Sequence, residues 1–282
     1  MSTESAEVPQ EPIKPDVSSE ARRLRRLRSA TGIPAPNGYR VFRALVMLVG
    51  RCLLKGQMYG LENLPQPRAN YRPAWYRRSS DARISHFGYV LAPNHTDERD
   101  IPMTAWRIKR PMTWLCKPWF VKHPLAAAIN QRVGAVPVMR KKDLDRPAYR
   151  AVAYEPREAL EVVSQAVIRG IPAVIYPQGE RRPDGRIDDS FLGAAIVAFN
   201  ANRPIVPVGI YGTGKTDDVR KTRFLHRRYA VAVIGHPIYP DDFAPVSPSE
   251  ERAAQQAMMQ YWQSEVASLR EQARACLLKR HA

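Results

Sequence analysis

Apolar positions in this chain fall into short runs separated by segments with helical spacing. Residues 89–92, 134–139, 173–176, 205–211 and 229–234 are compact apolar runs and read as strands. Residues 159–168 carry apolar side chains at helical intervals and stop at Gly170, and residues 193–199 form a second helical pattern. Residues 250–279 read as a terminal helix. Strands that alternate with helices predict an α/β fold, with a mixed, largely parallel sheet covered by helices on both faces.

The N-terminal part is organised differently. Residues 1–20 are rich in Ser, Pro and Glu and hold too little apolar surface to offset the entropy of ordering. They offer no apolar core of a secretory signal. With the basic run Arg22-Arg23-Leu24-Arg25-Arg26-Leu27-Arg28 they form a disordered basic arm, residues 1–36. Residues 37–57 follow as an amphipathic segment centred on Ala44-Leu45-Val46-Met47-Leu48-Val49-Gly50. A spanning helix needs about 20 apolar residues, and Arg40, Arg43 and Arg51 interrupt this one. It reads as a membrane-interfacial helix with its arginines toward lipid phosphates; the other reading is a core helix with exposed arginines. Residues 58–242 then form one α/β domain, and residues 243–282 a C-terminal helical extension. Within the domain, residues 65–86 look like a loop with clustered arginines and aromatics.

Charge narrows the choice of partner. Lys+Arg number 44 against 27 Asp+Glu, giving a net charge of +17 and a pI near 10.1. Such a field attracts polyanions, either nucleic acid or an anionic bilayer. No helix-turn-helix, zinc-finger or aromatic-basic strand motif accompanies it, so the expected partner is an anionic membrane surface and no nucleic acid. The three cysteines, Cys52, Cys116 and Cys276, are far apart and form no C-x-x-C pair. Neither a disulfide scaffold nor a metal site is expected. The expected location is the cytoplasmic face of the cell membrane, as a peripheral protein.

Candidate chemistry gathers at predicted strand ends. After the first of these strands the chain reads Pro93-Asn94-His95-Thr96-Asp97-Glu98-Arg99-Asp100. A His and an Asp five residues apart on a turn can fold back on each other, so that the carboxylate fixes the imidazole tautomer and leaves the other nitrogen as a base. Such a pair suits attack by the substrate's own hydroxyl. His236 and Asp241 share the spacing, but Pro237 and Pro240 intervene and no other candidate accompanies them. Tyr176-Pro177-Gln178-Gly179-Glu180-Arg181-Arg182 follows another strand, and a glycine turn with arginines at a strand's carboxyl end is suited to phosphate. Arg140 ends a third strand. Each of the last two is equally readable as a solvated edge.

In order and context these elements resemble the glycerolipid acyltransferase family, in particular the 1-acylglycerol-3-phosphate (lysophosphatidic acid) acyltransferases. Gly60-Leu61-Glu62-Asn63-Leu64-Pro65 resembles the family's entry segment, and Asn94-His95 through Asp100 matches its N-H-x4-D signature. Lys117 stands where the family has a lysine. Gly134 through Arg140 resembles a G-x-x-x-V-x-R strand, and Tyr176 through Arg181 aligns with an F-P-E-G-T-R turn. The likeness spans residues 58–240. It implies an acyltransferase domain over residues 58–242, with His95 as general base, Asp100 orienting it, and Lys117, Arg140, Gly179, Glu180 and Arg181 holding the acceptor's phosphate. It further implies acyl-CoA or acyl-carrier protein as the acyl donor, a lysolipid acceptor, and no cofactor. Gln178 and Glu180 replace the family's Glu and Thr, which favours one alternative, a different lysolipid or glycolipid acceptor with an anionic head. The basic clusters Arg22–Arg28 and Arg77–Arg78 would suit another, a catalytically inactive protein that binds anionic membranes.

Overall fold

The computed structural model describes residues 34, 36–65, 88–118, 132–140, 143, 146, 149, 153–219, 227–243 and 248–279. Nearly all of the basic arm and of the 65–86 loop lies outside the described residues. Seven strands form one sheet: β1 (Leu54–Tyr59), β2 (Val90–Pro93), β3 (Thr113–Cys116), β4 (Ala135–Pro137), β5 (Ala173–Val174), β6 (Ile205–Tyr211) and β7 (Arg228–Ile234). Their order is β1-β7-β6-β2-β5-β3-β4, and every neighbouring pair is parallel except β6 with β7. Helices α1 (Pro36–Leu53), α2 (Asp100–Thr104), α3 (Pro156–Ile168), α4 (Gly193–Ala201) and α5 (Glu251–Lys279), with short 3-10 helices at Leu61–Asn63, Pro240–Phe243 and Pro248–Glu250, complete the described elements.

Alternation along the strands divides the core between two faces. Val90, Ala92, Ala173, Ile175 and Ile205 meet Ala159 and Val163 of α3, Ala194 and Val197 of α4, and Met258 and Trp262 of α5. Tyr89, Leu91, Val174, Val206 and Val208 meet Met103 of α2 and Ile108 and Met112 beyond it. The sheet is therefore the mixed, mainly parallel one expected, with helices on both faces. α3 begins at a capping box of Glu155 and Glu158 with a proline in its first turn, and it ends where Gly170 takes a left-handed φ of 89°.

Two boundaries differ from the pattern reading. The helix expected over residues 37–57 stops at Leu53, and Leu54–Tyr59 becomes β1, paired along its length with β7. Gly56 weakens helix there, and Leu54 and Met58 fill the core from the strand. The C-terminal helix is not an extension of the domain. Ala254, Met258, Trp262, Val266, Leu269, Ala273 and Leu277 form one buried stripe along it, and the Trp262 indole donates to the Ala92 carbonyl. Gly209 in β6 permits the close approach, because a Cβ there would lie 2.3 Å from the α5 backbone.

Candidate active site

Parallel pairing brings the carboxyl ends of β6, β2, β5, β3 and β4 to one edge of the sheet. His95 follows β2, the turn from Tyr176 follows β5, Lys117 follows β3, and Arg140 lies just past β4. The strand order thus converts four distant segments into one row. At about 4.8 Å per strand, β3 and β4 stand about 10 Å and 14 Å from β2.

The His95 turn is built around a buried carboxylate. Asp100 opens α2 and is fully buried. Its Oδ2 lies 2.9 Å from His95 Nδ1 and accepts the Thr96 N–H at 2.6 Å and the Asp97 N–H at 2.9 Å. A carboxylate accepting two backbone donors calls for a third donor from the ring, which places the imidazole proton on Nδ1 and the lone pair on Nε2. The His95 side chain is 15% exposed, so the ring is sheltered and still reachable. Asn94 anchors the turn from behind: its amide donates to the Ile210 carbonyl at 3.1 Å and accepts the Ile210 N–H at 2.6 Å.

The turn after β5 grips His95 from the other side. Gln178 is buried; its side-chain oxygen accepts the His95 N–H at 2.6 Å, and its amide nitrogen donates to the Arg186 carbonyl at 2.7 Å. A glutamate here could accept the first bond and not donate the second. Gln178 therefore fits its surroundings as an amide, and its polar atoms are directed into the protein. Gly179 takes a left-handed φ of 68° and donates its N–H back to the Tyr176 carbonyl at 2.9 Å. That N–H closes the turn, so anion binding here would fall to other donors. Phe191 lies beneath Gly179, where a Cβ would meet its ring at 2.6 Å.

The expected anion-binding residues are placed unequally. Arg181 donates to Glu98 at 2.8 Å, which ties its turn to the His95 turn through an exposed pair. Such pairs contribute about 0–1 kcal/mol, so Arg181 is easily released to another anion. Arg140 donates in bidentate fashion to Asp143, at 2.5 and 3.1 Å. Lys117 is half-buried directly beyond β3, and Glu180 is exposed on the turn. Among the described residues no group of three or more His, Cys, Asp or Glu is disposed to hold a metal ion.

Several contacts here were invisible to pattern reading. Tyr176 stacks on the His95 ring with centroids 4.2 Å apart and planes at 27°. Thr96 meets Thr213 at 3.2 Å, in a loop where Asp217 accepts the Gly212 and Gly214 N–H groups and pairs with Arg270 of α5. Local sequence carries no signal for these contacts, because the partners come from other strands.

The sequence model of the acyltransferase family matches residues 56–211, more than half of the chain. Over 188 residues, 66% of this chain, the sequence is 25% identical to a 1-acyl-sn-glycerol-3-phosphate acyltransferase of Brassica napus named as chloroplastic, and covers 45% of it. It is 24% identical over 183 residues to the chloroplastic LPAT1 acyltransferase of Arabidopsis thaliana, covering 64% of this chain and 42% of the relative. The chain thus spans less than half the length of these curated relatives. Among solved structures, the 1-acyl-sn-glycerophosphate acyltransferase PlsC of Thermotoga maritima aligns with a TM-score of 0.47 at 16% identity. That alignment covers 89% of this chain and 83% of the other.

Proposed function

The chain belongs to the acyltransferase family, and on that premise we propose that it transfers a fatty acyl group from acyl-CoA or acyl-carrier protein to the free hydroxyl of lysophosphatidic acid, forming phosphatidic acid. The observation that carries this reading is the sheltered His95–Asp100 pair at the carboxyl edge of the sheet. His95 Nε2 takes the proton of the acceptor hydroxyl as its oxygen attacks the thioester carbonyl. The new C–O ester bond forms, the C–S bond breaks, and the proton passes on to the departing thiolate. Asp100 holds the tautomer and offsets the charge of the imidazolium. Lys117, Arg140 and Arg181, beside the Gly179–Glu180 turn, receive the acceptor's phosphate from the β3, β4 and β5 side of His95. The inward bonds of Gln178 remove one reason to expect a different acceptor, because its amide serves the protein's own backbone.

The reaction takes place at an anionic membrane, with the protein peripheral on the cytoplasmic face of the cell membrane. Val41, Leu45, Leu48, Val49 and Leu53 share one face of α1 and are 47–62% exposed. Among the described residues no helix is long and apolar enough to cross a membrane, so this face suits the bilayer interface. β1 runs parallel to β7 and opposite to β6, so α1 hands over to β1 at the same sheet edge as His95. An interfacial α1 would bring that edge to the lipid that supplies the acceptor.

The test is thiol release from a long-chain acyl-CoA, with and without lysophosphatidic acid, for wild type and His95→Ala. Acceptor-dependent release that His95→Ala abolishes is the expected result. Release without acceptor would indicate a thioesterase. No release with acyl-CoA, acyl-carrier protein or other lysolipids would overturn the acyltransferase reading.

A further inference from the structure

We propose that Tyr176 is a positioning residue for the base: its ring face holds the His95 imidazole and favours the imidazolium formed during transfer, while its hydroxyl ties that ring to the helix that carries Asp100. The inference rests on the reading of His95 as general base and goes beyond it.

The hydroxyl's role follows from counting protons. Thr104 Oγ1 donates to the Asp100 carbonyl at 2.8 Å, and Tyr176 Oη lies 3.0 Å from the same Thr104 oxygen. Thr104 has one proton and has already given it, so the phenol must be the donor in the second bond. Burial holds the phenol far above its ordinary range, so it stays protonated and keeps that bond. The chain Tyr176–Thr104–Asp100 therefore links the ring that touches His95 to the residue that orients His95. Tyr176 is fixed at both ends, by its backbone in the turn after β5 and by its hydroxyl on α2.

The ring's role follows from its face. Aromatic faces carry negative quadrupolar charge and attract a cation stacked on them, most strongly where water is scarce. With the His95 side chain 15% exposed and the ring centroids 4.2 Å apart, the imidazolium would form against that face. Its other charged surroundings are Asp97, Glu98, Arg99 and Asp100 on its own turn, Arg181 and Arg182 on the turn after β5, and Asp217 behind Thr213. The same turn also holds the His95 backbone, through Gln178 on its N–H and through the Arg182 N–H, which donates to its carbonyl at 2.7 Å. Tyr176 extends that grip from the backbone to the reacting ring.

Tyr176→Leu removes the face, and Tyr176→Phe removes only the hydroxyl. The full-length protein is followed in two ways: by the pH dependence of acceptor-stimulated thiol release, and by NMR titration of the His95 ring, whose resonances are assigned by their loss in His95→Ala. For Tyr176→Leu, kcat is expected to fall roughly tenfold with the acceptor KM changed less than about twofold. The His95 titration and the acid limb of the rate profile should both move to lower pH by roughly 0.5 to 1 unit. Tyr176→Phe should keep the titration and lose no more than about threefold in kcat. A folded Tyr176→Leu protein with wild-type titration and kcat overturns the proposal. So does a Tyr176→Phe protein as impaired as Tyr176→Leu, because the ring face would then contribute nothing. If Tyr176→Leu does not fold, Tyr176→Met, unbranched, longer and more adaptable, takes its place under the same criteria. Wild-type protein without acceptor-stimulated release would overturn the proposed reaction, while the NMR titrations would still decide the role of Tyr176.

Discussion

The helices nearest the two ends of the described chain make opposite use of their apolar residues. α1 contains the densest apolar stretch of the sequence, yet Val41, Leu45, Leu48, Val49 and Leu53 face outward. α5 is the more polar of the two, yet it buries Met258, Trp262, Val266 and Leu269 against the sheet. Spacing, not density, decides what a helix contributes to the core: α5 places one apolar residue on the same face every three or four positions. α1 is apolar on two sides. Tyr39 and Met47 are buried in the protein, and the opposite face is exposed. Its arginines divide in the same way. Arg43 turns inward and donates to the carbonyls of Ile108 and Ala105, at 3.1 and 3.4 Å, where the sequence pattern placed it toward lipid phosphates. Arg40 and Arg51 remain outward.

The sharpest contrast is in stability. Trp262→Ala should cost about 3–5 kcal/mol by urea denaturation, because it empties the core and leaves the Ala92 carbonyl without its indole donor. Leu45→Ala should stay within about 0.5 kcal/mol of wild type. Equal losses for the two would show that the α1 face is covered within the protein. Next in size is binding to vesicles. A Leu45→Asp, Leu48→Asp double variant should lose more than about tenfold of its partitioning onto phosphatidylglycerol vesicles, since each buried leucine contributes about 1.5–3 kcal/mol. Its thermal midpoint should not change. Alkylation of Cys52, exposed on α1, should slow when vesicles are added to wild type. Undiminished sedimentation of the double variant with vesicles would remove α1 from the membrane contact. The smallest effects separate the arginines. Arg43→Met should destabilise the fold by about 1–3 kcal/mol by leaving two carbonyls short of a donor. Arg51→Met should leave stability alone and weaken vesicle binding by about 1 kcal/mol, with a loss that fades in high salt.

Parts of the site show the same division between what lies close along the chain and what does not. The His95–Asp100 contact was legible because both residues belong to one short turn, and five residues of chain leave few ways for them to separate. The Arg140–Asp143 pair is also local, three residues apart, and could have been read from spacing alone. Gln178 looked like a departure from the family pattern with consequences for the acceptor. Its partners, the His95 N–H and the Arg186 carbonyl, show that its amide also braces the turn that carries His95. β1 escaped notice because Lys55, Gly56 and Gln57 interrupt it, and β3 because its continuous apolar run, Trp114-Leu115-Cys116, is only three residues long between Thr113 and Lys117.

By itself, then, the order of residues determined the α/β class, the strands whose apolar runs are continuous, the helical pattern that stops at Gly170, and the meeting of His95 with Asp100. These depend on periodicity and on contacts within a few residues, where covalent geometry leaves little freedom. Only the tertiary structure decided that α5 completes the core, that α1 turns an apolar face outward, and that Tyr176, Gln178 and Arg182 close around a histidine some eighty positions earlier. Those contacts follow from β5 lying beside β2 in the sheet. Strand order is settled by how all the buried faces pack together at once, and no local pattern of apolar and polar residues encodes it.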